Sequence, residues 1–242
     1  FDEVLGSLQV EMDILLGKNN IPENIIVSLD EFVDSLEYIR DNIQIVDKMF
    51  LSYNSGFKVL AEGAQGTMLD IDHGSYPFIT TSTTLSSGAL SSLGMPPQSI
   101  EKVYGVFKAY LTRVGNGHME TELTDGVGDF IAQKGKEVGA TTGRPRRCGW
   151  LNLDELKKAV KLNGVTDLIM TKADILNGMD FVKMYHEGKY IKLHGWSTTE
   201  LSPILGFFDA NLETYVTLIG NIVGCKITYV STSPERDDII KR

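Results

Sequence analysis

Residues 165–174 have the sequence VTDLIMTKAD, in which a mostly apolar run ends in a polar motif. The short apolar run over residues 165–170 predicts a buried strand. A helix is predicted before it, because Asn152 and Glu155 have capping-box spacing and Gly164 is a stop signal. A helix that leads through a buried strand into a polar turn is typical of an α/β sheet, where ligands bind beyond the carboxyl ends of the strands.

The same alternation of helices and strands continues on both sides of this stretch. It predicts a helix after the capping-box pair Ser28 and Glu31, a short β-compatible run over residues 57–61, a strand over 103–114, a helix around 212–219 and a final strand over 226–230. Residues 70–98 are rich in Gly, Ser, Thr and Pro, and a connection of that length predicts a functional loop. We therefore predict an α/β fold with a mostly parallel central sheet, flanking helices and a single domain over residues 1–242.

Composition and charge limit the class of protein. The chain is 42% hydrophobic and 23% charged, as soluble globular proteins are, and no apolar run reaches the ~20 residues of a membrane-spanning helix. The formal net charge of −9 argues against a nucleic-acid partner, whereas a few local cations still suit a small anionic substrate. Cys148 and Cys225 lack the spacing of a metal site and are predicted to be free thiols in a cytoplasmic protein. The chain begins at Phe1 without an initiator Met, and we expect a truncated start.

A loop with three arginines has the most unusual composition in the chain. Residues 139–147 have the sequence GATTGRPRR. Glycines let the backbone approach a ligand, threonines supply hydroxyls, and arginines bind carboxylate or phosphate through paired hydrogen bonds. Loop arginines are usually solvated surface charge, but three of them beside a Thr-Thr-Gly turn in an acidic protein predict an anion site. The class of anion stays open from these residues alone.

Three other polar motifs are candidates for ligand contacts. Lys172 and Asp174 follow the buried strand, where an aspartate can accept hydrogen bonds from guanine, and a charged turn is the alternative. Gln65 lies in a Gly-rich turn, and its amide can both donate and accept a hydrogen bond to orient a substrate oxygen. A cluster of two aspartates and a histidine begins at Asp70, and it could bind a metal or act as acid and base. A hydrogen-bonded structural turn is the favoured interpretation of that cluster.

Several separated segments together resemble adenylosuccinate synthetases, in the same order along most of the chain from Glu62 onward. They are EGAQGTMLDIDHG (62–74) followed by Tyr76-Pro77, TRVG (112–115), TEL (121–123), GATTGR (139–144) with Arg146, Arg147, Gly149 and Trp150, TKAD (171–174) and STSP (231–234). The resemblance implies a P-loop-NTPase-like ligase fold. It also implies a two-step reaction, in which GTP phosphorylates the 6-oxygen of IMP and the amine of L-aspartate then displaces that phosphate to give adenylosuccinate.

The resemblance implies a role for each candidate residue. Gln65 contacts the purine 6-oxygen region and is the catalytic candidate. The residues implied to bind the substrate nucleotide are Gln65, Thr80, Val114 and Arg144. Those implied to bind aspartate, in a loop that closes over it, are Thr141, Thr142, Arg144 and Arg146. Those implied to bind GTP are Lys172, Asp174, Ser231, Ser233 and Pro234.

Three departures from the family pattern affect the expected function. The family's phosphate-binding loop, its catalytic aspartate and histidine and its Mg²⁺ ligands belong near the N-terminus, and we do not find them in this sequence. We therefore expect no metal ligands in this fragment and no activity from it alone, while the complete protein uses Mg²⁺ and GTP. Residues 117–122 are GHMETE in place of the usual GPFPTE, and Ser233 replaces the usual glycine, which leaves GTP and ATP both open as donors. The segment between Asp174 and Ser231 is compact, as in archaeal members and in a phage-encoded branch.

Two alternatives to the ordinary enzyme stay open. The phage-type branch uses dGMP in place of IMP and makes a 2-aminodeoxyadenylosuccinate. A guanine-nucleotide-binding module without ligase activity would account for residues 171–174, but it leaves Gln65 and the loop around Arg144 unexplained. The resemblance further implies small-molecule partners and a homodimer in which an arginine is contributed across the interface.

Overall fold

The computed structural model describes residues 29–43, 56, 58–139, 143–197 and 209–242. The chain divides into two compact units, Phe1–Phe50 and Leu51–Arg242. Helix α1 (Leu29–Asn42) belongs to the first unit and confirms the predicted helix, although Ser28 of the predicted cap lies outside the described residues. The single domain over residues 1–242 stays a prediction.

The second unit contains four helices and nine strands in its described residues. The helices are α2 (Ser86–Leu93), α3 (Gly126–Lys134), α4 (Leu153–Asn163) and α5 (Ala210–Val223). The strands are β1 (Tyr104–Lys108), β2 (Leu111–Val114), β3 (Arg146–Gly149), β4 (Leu151–Asn152), β5 (Asp167–Thr171), β6 (Phe181–His186), β7 (Lys189–His194), β8 (Ile227–Ser231) and β9 (Ile239–Lys241). Short 3-10 turns occupy Thr67–Leu69, Pro97–Ser99 and Ala173–Leu176. None of the described helices is long and apolar enough to cross a membrane.

The central sheet has four strands in the order β1-β5-β8-β9. Strands β1, β5 and β8 run parallel to one another, and β9 is antiparallel to β8. This arrangement confirms the predicted α/β fold with a mostly parallel sheet. Strands β2 and β3 form a separate antiparallel pair, and β4, β6 and β7 form a third sheet in which β6 and β7 are a hairpin.

Helix α4 begins and ends where the sequence predicts. The side-chain oxygen of Asn152 accepts hydrogen bonds from the backbone N–H groups of Asp154 (3.0 Å) and Glu155 (3.2 Å), which satisfies two donors at the helix start. Gly164 ends the helix with a φ of 60°, a left-handed conformation that suits a residue without a Cβ. The two ends of α4 therefore determine where the chain enters β5.

Helix α5 lies at the centre of the hydrophobic core. The completely buried residues of its apolar face are Leu212, Tyr215, Val216 and Ile219. The Tyr215 hydroxyl donates a hydrogen bond to the Ala109 carbonyl oxygen at 2.6 Å, so α5 also holds the chain just after β1. Cys148 and Cys225 are buried in the same core, and both are free thiols as predicted.

The predicted strand over residues 103–114 is wrong as a single element, because it forms two strands, β1 and β2. The chain leaves the central sheet after Lys108, where Ala109 and Tyr110 turn into the core and are almost completely buried. The Ala109 N–H donates to the Thr171 carbonyl oxygen at 2.9 Å, after which β2 pairs with β3 instead. The pattern does not show this break, because both halves are β-compatible and the change of partner is a tertiary contact.

The predicted β-run over residues 57–61 is wrong for its described part. Residues 58–61 form no strand, and Leu60 is 88% exposed. A β-compatible sequence becomes a strand where a neighbour supplies hydrogen-bond partners, and none of the described strands pairs with this run. Residue 57 lies outside the described residues.

Three further elements differ from the predicted pattern. The predicted loop over residues 70–98 contains helix α2. The predicted final strand corresponds to β8, but β9 follows it and pairs with its outer edge. The β6–β7 hairpin has no predicted counterpart, and its two-residue turn of Glu187 and Gly188 has positive φ angles of 47° and 78°. Hairpins of this kind depend on turn conformation more than on the periodicity of their strands.

Candidate functional site

The carboxyl ends of β1, β5 and β8 lie side by side at one edge of the central sheet. Their last residues are Lys108, Thr171 and Ser231, so the turns that follow β5 and β8 are neighbours. These two turns contain the residues predicted to bind GTP, which are Lys172, Asp174, Ser231, Ser233 and Pro234. The fold therefore gathers them where α/β sheets commonly bind ligands.

The turn after β5 is held in place by contacts with the hydrophobic core. Lys172 has a φ of 60°, a left-handed conformation that is uncommon for a residue with a long side chain. It precedes the 3-10 turn Ala173–Leu176, where the carbonyl oxygen of buried Ala173 accepts a hydrogen bond from the Trp196 indole N–H at 3.0 Å. Asp174 is half-buried. The hydrogen bond from Trp196 thus anchors the backbone of the turn to the core.

A buried carboxylate, Glu137, lies at the centre of this edge and was not predicted. Its side chain is 0% exposed. Its Oε1 accepts hydrogen bonds from the Tyr110 hydroxyl (2.5 Å), Lys108 Nζ (2.9 Å) and Lys172 Nζ (2.9 Å). Its Oε2 accepts from Lys108 Nζ (2.8 Å) and from the Arg146 guanidinium (3.1 Å). We call these five residues the Glu137 cluster, and two of them, Lys172 and Arg146, are predicted ligand-binding residues.

The Glu137 cluster contains one negative and three positive charges. Burial alone would raise the pKa of Glu137, but hydrogen bonds from Lys108, Tyr110 and Lys172 outweigh burial and lower that pKa to about 2. Burial lowers the pKa of Lys108, although the Glu137 charge opposes the shift. Burial and the bond to Glu137 together raise the pKa of Tyr110, which keeps its hydroxyl protonated. The cluster therefore carries an excess of positive charge in a chain whose formal net charge is −9.

Sequence reasoning missed Glu137 because its neighbours are typical of a solvated turn. Residues 134–138 have the sequence KGKEV, directly after helix α3. The one available signal is its place just before the Gly-Thr-Arg loop. That signal does not distinguish a buried carboxylate from an exposed one, since the burial depends on tertiary contacts with Lys108, Tyr110 and Lys172, which are distant in sequence.

Backbone hydrogen bonds close the arginine loop at its base. Val138 and Pro145 form an antiparallel bridge, and the Gly139 N–H donates to the Arg144 carbonyl oxygen at 2.8 Å. The side chain of Arg144 is exposed. The loop residues that lie outside the described part of the chain are Ala140, Thr141 and Thr142. The base of the loop is therefore joined to the segment that carries Glu137.

The antiparallel pair β2–β3 brings two predicted residues together, because Val114 is the register partner of Arg146. The next residue of β3, Arg147, binds Glu122 rather than Glu137. Its guanidinium donates to both carboxylate oxygens of Glu122, with Nε 2.6 Å from Oε1, and to the Gly117 carbonyl oxygen at 2.8 Å. The bond to Arg147 holds the pKa of Glu122 below its usual value. Arg147 therefore secures the turn after β2.

Gln65 and Thr80 lie in a segment that packs on helix α4. Gln65 is exposed and has a φ of 63°, and the Thr80 N–H donates to the Leu69 carbonyl oxygen at 2.8 Å. Asn163 of α4 joins this segment through a hydrogen bond from its Nδ2 to Thr67 Oγ1 at 2.9 Å. The described contacts connect the segment to α4, and a nucleotide site that Gln65 and Thr80 share with Val114 and Arg144 stays a prediction.

The cluster that begins at Asp70 forms a hydrogen-bonded turn, as the favoured interpretation requires. The buried Asp70 carboxylate accepts hydrogen bonds from the backbone N–H groups of Thr84 (2.7 Å), His73 (3.0 Å) and Asp72 (3.1 Å). Burial would raise the pKa of Asp70, but these bonds outweigh it and lower the pKa. Within the described ranges, no group of three His, Cys, Asp or Glu side chains is placed to hold a metal ion.

Comparison with known proteins decides the family. A family model described as adenylosuccinate synthetase matches residues 7–187. The chain belongs to the adenylosuccinate synthetase family. Similar curated relatives are the adenylosuccinate synthetases of Parabacteroides distasonis, 38% identical over 100% of this chain and 63% of that protein, and of Helicobacter hepaticus, 42% identical over 85% of this chain and 53% of that protein. The chain thus spans 53–63% of the length of these relatives.

Two solved structures resemble the fold to different degrees. A fully ligated adenylosuccinate synthetase from Plasmodium falciparum superposes with a TM-score of 0.86 at 30% identity, covering 100% of this chain and 64% of that one. A cyanophage S-2L succinoaminodeoxyadenylate synthetase, bound to dGMP and dATP, gives a TM-score of 0.56 at 19% identity over 85% of this chain and 54% of that one. The phage protein therefore shares the fold, and the ordinary adenylosuccinate synthetase is the nearer of these two.

The hydroxyl of Ser233, the residue expected to differ from the family's glycine, closes the turn after β8. It donates to the Asp238 carboxylate at 2.6 Å and accepts from the Glu235 N–H at 2.9 Å. The Ser233 carbonyl oxygen accepts from the Ser231 hydroxyl at 2.8 Å, and Pro234 is exposed at the tip. The Ser233 hydroxyl is thus hydrogen-bonded within the turn that lies beside the Lys172–Asp174 turn.

The other expected departure from the family pattern, residues 117–122, contains two hydrogen-bonding side chains, His118 and Glu120. The Nε2 atom of His118 lies 2.8 Å from Oε2 of Glu120, and the Tyr185 hydroxyl donates a hydrogen bond to Oε1 of Glu120 at 3.2 Å. The bond to His118 is the main reason that the pKa of Glu120 is lowered. These contacts join the turn after β2 to strand β6.

Proposed function

We propose that the protein containing this chain is a ligase that forms a C–N bond between L-aspartate and the purine 6-position of IMP. GTP drives the reaction through a 6-phosphoryl intermediate, and the product is adenylosuccinate. The observation that carries the proposal is the family match over residues 7–187, because that range includes both the arginine loop and the Lys172–Asp174 turn.

The arginine loop supplies the aspartate end of the proposed site. Aspartate brings two carboxylates, and guanidinium groups bind carboxylates through paired, charge-assisted hydrogen bonds. Arg144 is exposed at the loop base, and Arg146 retains further N–H donors beyond the one that binds Glu137. Thr141 and Thr142 are proposed to complete the aspartate contacts. Val114, opposite Arg146, is proposed to lie by the ribose of IMP.

The turns after β5 and β8 supply the GTP end. The half-buried Asp174 carboxylate is proposed to accept hydrogen bonds from the ring N–H and amino group of guanine, and the Lys172 stem to lie along the base. Ser231, Ser233 and Pro234 form the second wall. A carboxylate selects guanine over adenine, because adenine has an acceptor where guanine has its ring N–H.

The chemistry at the 6-position needs an oriented oxygen and stabilised charge. Gln65 is proposed to contact the purine 6-oxygen, and Thr80 the phosphate of IMP. Arg144 is proposed to stabilise the negative charge of the transferred phosphoryl group, and closure of the loop would exclude water. The Mg²⁺ ion stays a prediction, since no three His, Cys, Asp or Glu side chains of the described residues are grouped to hold a metal ion. The homodimer and the cytoplasmic location likewise stay predictions.

The mass of the product tests the proposed function. The complete protein is incubated with L-aspartate, Mg²⁺ and GTP, together with either IMP or dGMP. We expect a succinyl adduct of IMP. An adduct of dGMP alone would place the protein with the phage-type enzymes, and no adduct with either nucleotide would leave only a guanine-nucleotide-binding module.

Replacing Asp174 with asparagine is expected to raise the KM for GTP about 10-fold or more and to reduce the preference for GTP over ATP. The amide presents a donor where guanine also donates, so one hydrogen bond becomes a repulsion. The measurement is kcat/KM for both donors in the complete protein. Asp129→Asn, an exposed aspartate of helix α3, is the control for the loss of one charge. An unchanged donor preference would show that Asp174 does not contact the base.

A further inference from the structure

We propose that Glu137 is a positioning residue, whose single carboxylate orients both Lys172, which lies along the guanine base, and Arg146, which binds aspartate. This inference rests on the proposed function, because it concerns the two ligand sites of that reaction. Glu137 itself is completely buried and is not proposed to touch a ligand.

The two oxygens of Glu137 face different ligand sites. Oε1 binds Lys172 Nζ at 2.9 Å, on the side of the GTP turn. Oε2 binds the Arg146 guanidinium at 3.1 Å, on the side of the arginine loop. Lys108 Nζ lies between them, 2.9 Å from Oε1 and 2.8 Å from Oε2, and thereby restricts rotation of the carboxylate. The orientation of Lys172 and that of Arg146 are therefore set by the same group.

Backbone contacts reinforce both connections independently of the carboxylate. The Arg146 N–H donates to the Glu137 carbonyl oxygen at 2.9 Å. Lys172 Nζ also donates to the Gly135 carbonyl oxygen at 2.7 Å, two residues before Glu137. The segment that carries Glu137 is thus bound to both ligand-binding elements, so a displacement of one of its partners alters the geometry at the other.

The charge balance explains why a carboxylate is needed at this position. The side chains of Lys108, Lys172 and Arg146 are 24%, 33% and 29% exposed, so three cations surround Glu137 with limited access to solvent. Without a central negative charge they repel one another and move apart towards solvent. With it, Lys172 and Arg146 are held close together, and the cluster keeps the surplus positive charge that suits anionic ligands.

The test is the steady-state kinetics of Glu137→Gln in the complete protein. Glutamine keeps the size of the side chain, removes its charge and replaces one carboxylate oxygen with an NH2 donor. Lys172 and Arg146 therefore lose the anion that they share, and only one acceptor oxygen remains for them. We expect the KM for GTP and the KM for aspartate each to rise about 10-fold, with kcat changed less than about 3-fold. Glu137→Asp, which retains the charge on a shorter side chain, should recover part of both effects.

Asp167→Asn is the matched control. Asp167 is also a buried carboxylate, with a side chain 4% exposed, and it binds two lysines, Lys226 at 3.0 Å and Lys102 at 3.8 Å. It lies at the first residue of β5, at the opposite end of the strand from Lys172. A merely structural effect of losing a buried charge should therefore appear in both variants, whereas the double rise in KM should appear only in Glu137→Gln.

Several results would overturn the proposal. A Glu137→Gln variant with the same KM values as Asp167→Asn, or with a changed KM for one ligand alone, would show that Glu137 does not position both residues.

A second variant is needed if Glu137→Gln fails to fold. Tyr110→Phe removes one hydrogen bond from Oε1 without changing charge, and it must then raise both KM values. A wild-type protein that makes no adenylosuccinate would remove the proposed function and this inference with it. An active wild type with unaffected Glu137 variants would remove this inference alone.

Discussion

Replacing Glu137 with alanine is expected to lower the free energy of unfolding by about 3 kcal/mol. The substitution leaves three cations around an empty site, and it leaves the buried Tyr110 hydroxyl without its acceptor. An orphaned buried hydroxyl alone costs about 1–3 kcal/mol. We expect the lower end of the range for broken buried ion pairs, because the side chains of Lys108, Lys172 and Arg146 each reach solvent in part.

Urea denaturation of the chain, followed by circular dichroism, measures this effect. Asp167→Ala is the control, because Asp167 is equally buried but its partners Lys226 and Lys102 are largely exposed. We expect a clearly smaller loss for Asp167→Ala, since exposed lysines regain water when their partner is removed. Equal losses from the two variants would show that burial of the carboxylate matters and the exposure of its partners does not.

The same contribution should depend on pH with a defined sign. The pKa of Glu137 falls from an ordinary value of 4.5 to about 2 in the folded protein. Its stabilisation is therefore complete above about pH 4.5 and is lost as the pH falls towards 2. The difference in unfolding free energy between wild type and Glu137→Ala should shrink across that interval, and a constant difference would contradict the assigned pKa.

Replacing Arg144 with alanine in the complete protein is expected to lower kcat/KM by about 30- to 1,000-fold, which corresponds to about 2–4 kcal/mol. A bidentate, charge-assisted contact to aspartate and to the transferred phosphoryl group is lost at once. The Arg144 side chain is exposed, and the hydrogen bond from the Gly139 N–H to the Arg144 backbone carbonyl oxygen at the loop base does not depend on the side chain. The loop should therefore remain folded, and the loss should appear in catalysis.

Initial rates at varied aspartate and IMP concentrations measure this loss. Arg40→Ala removes the same charge from an exposed position on helix α1 and serves as the control. Near-normal kinetics for Arg144→Ala would remove Arg144 from the proposed site. A loss shared equally by Arg40→Ala would point instead to a general electrostatic effect on anionic substrates.

Local signals predicted helices and the buried strand well. Asn152 and Gly164 mark the ends of α4 because capping depends on residues adjacent in sequence, and the apolar face of α5 shows directly as periodicity. Strand pairing was harder, because it depends on partners that are distant along the chain. The break at Ala109 and the unpaired residues 58–61 both follow from such partners.

The residues of the candidate site also differ in whether local sequence predicts them. Lys172, Asp174 and Ser231 could be placed from sequence, because each follows a recognisable strand in a parallel sheet. Glu137 could not, because its burial and low pKa result from contacts with strands β1 and β3 and with the turn after β5. A sequence pattern records the residue type, whereas the surrounding charges appear only in the folded chain.

The burial of Cys148 has a consequence for oxidative damage. Burial, and then the negative charge of Glu137, raise the pKa of the Cys148 thiol, so little thiolate is present at neutral pH. Peroxides and electrophiles attack the thiolate, and they reach this sulfur only after the core opens. A cysteine at the back of a strongly cationic cluster would ordinarily be activated. Here burial, together with the central carboxylate, outweighs the three cations, and the sulfur next to the site is protected from oxidants for as long as the protein stays folded.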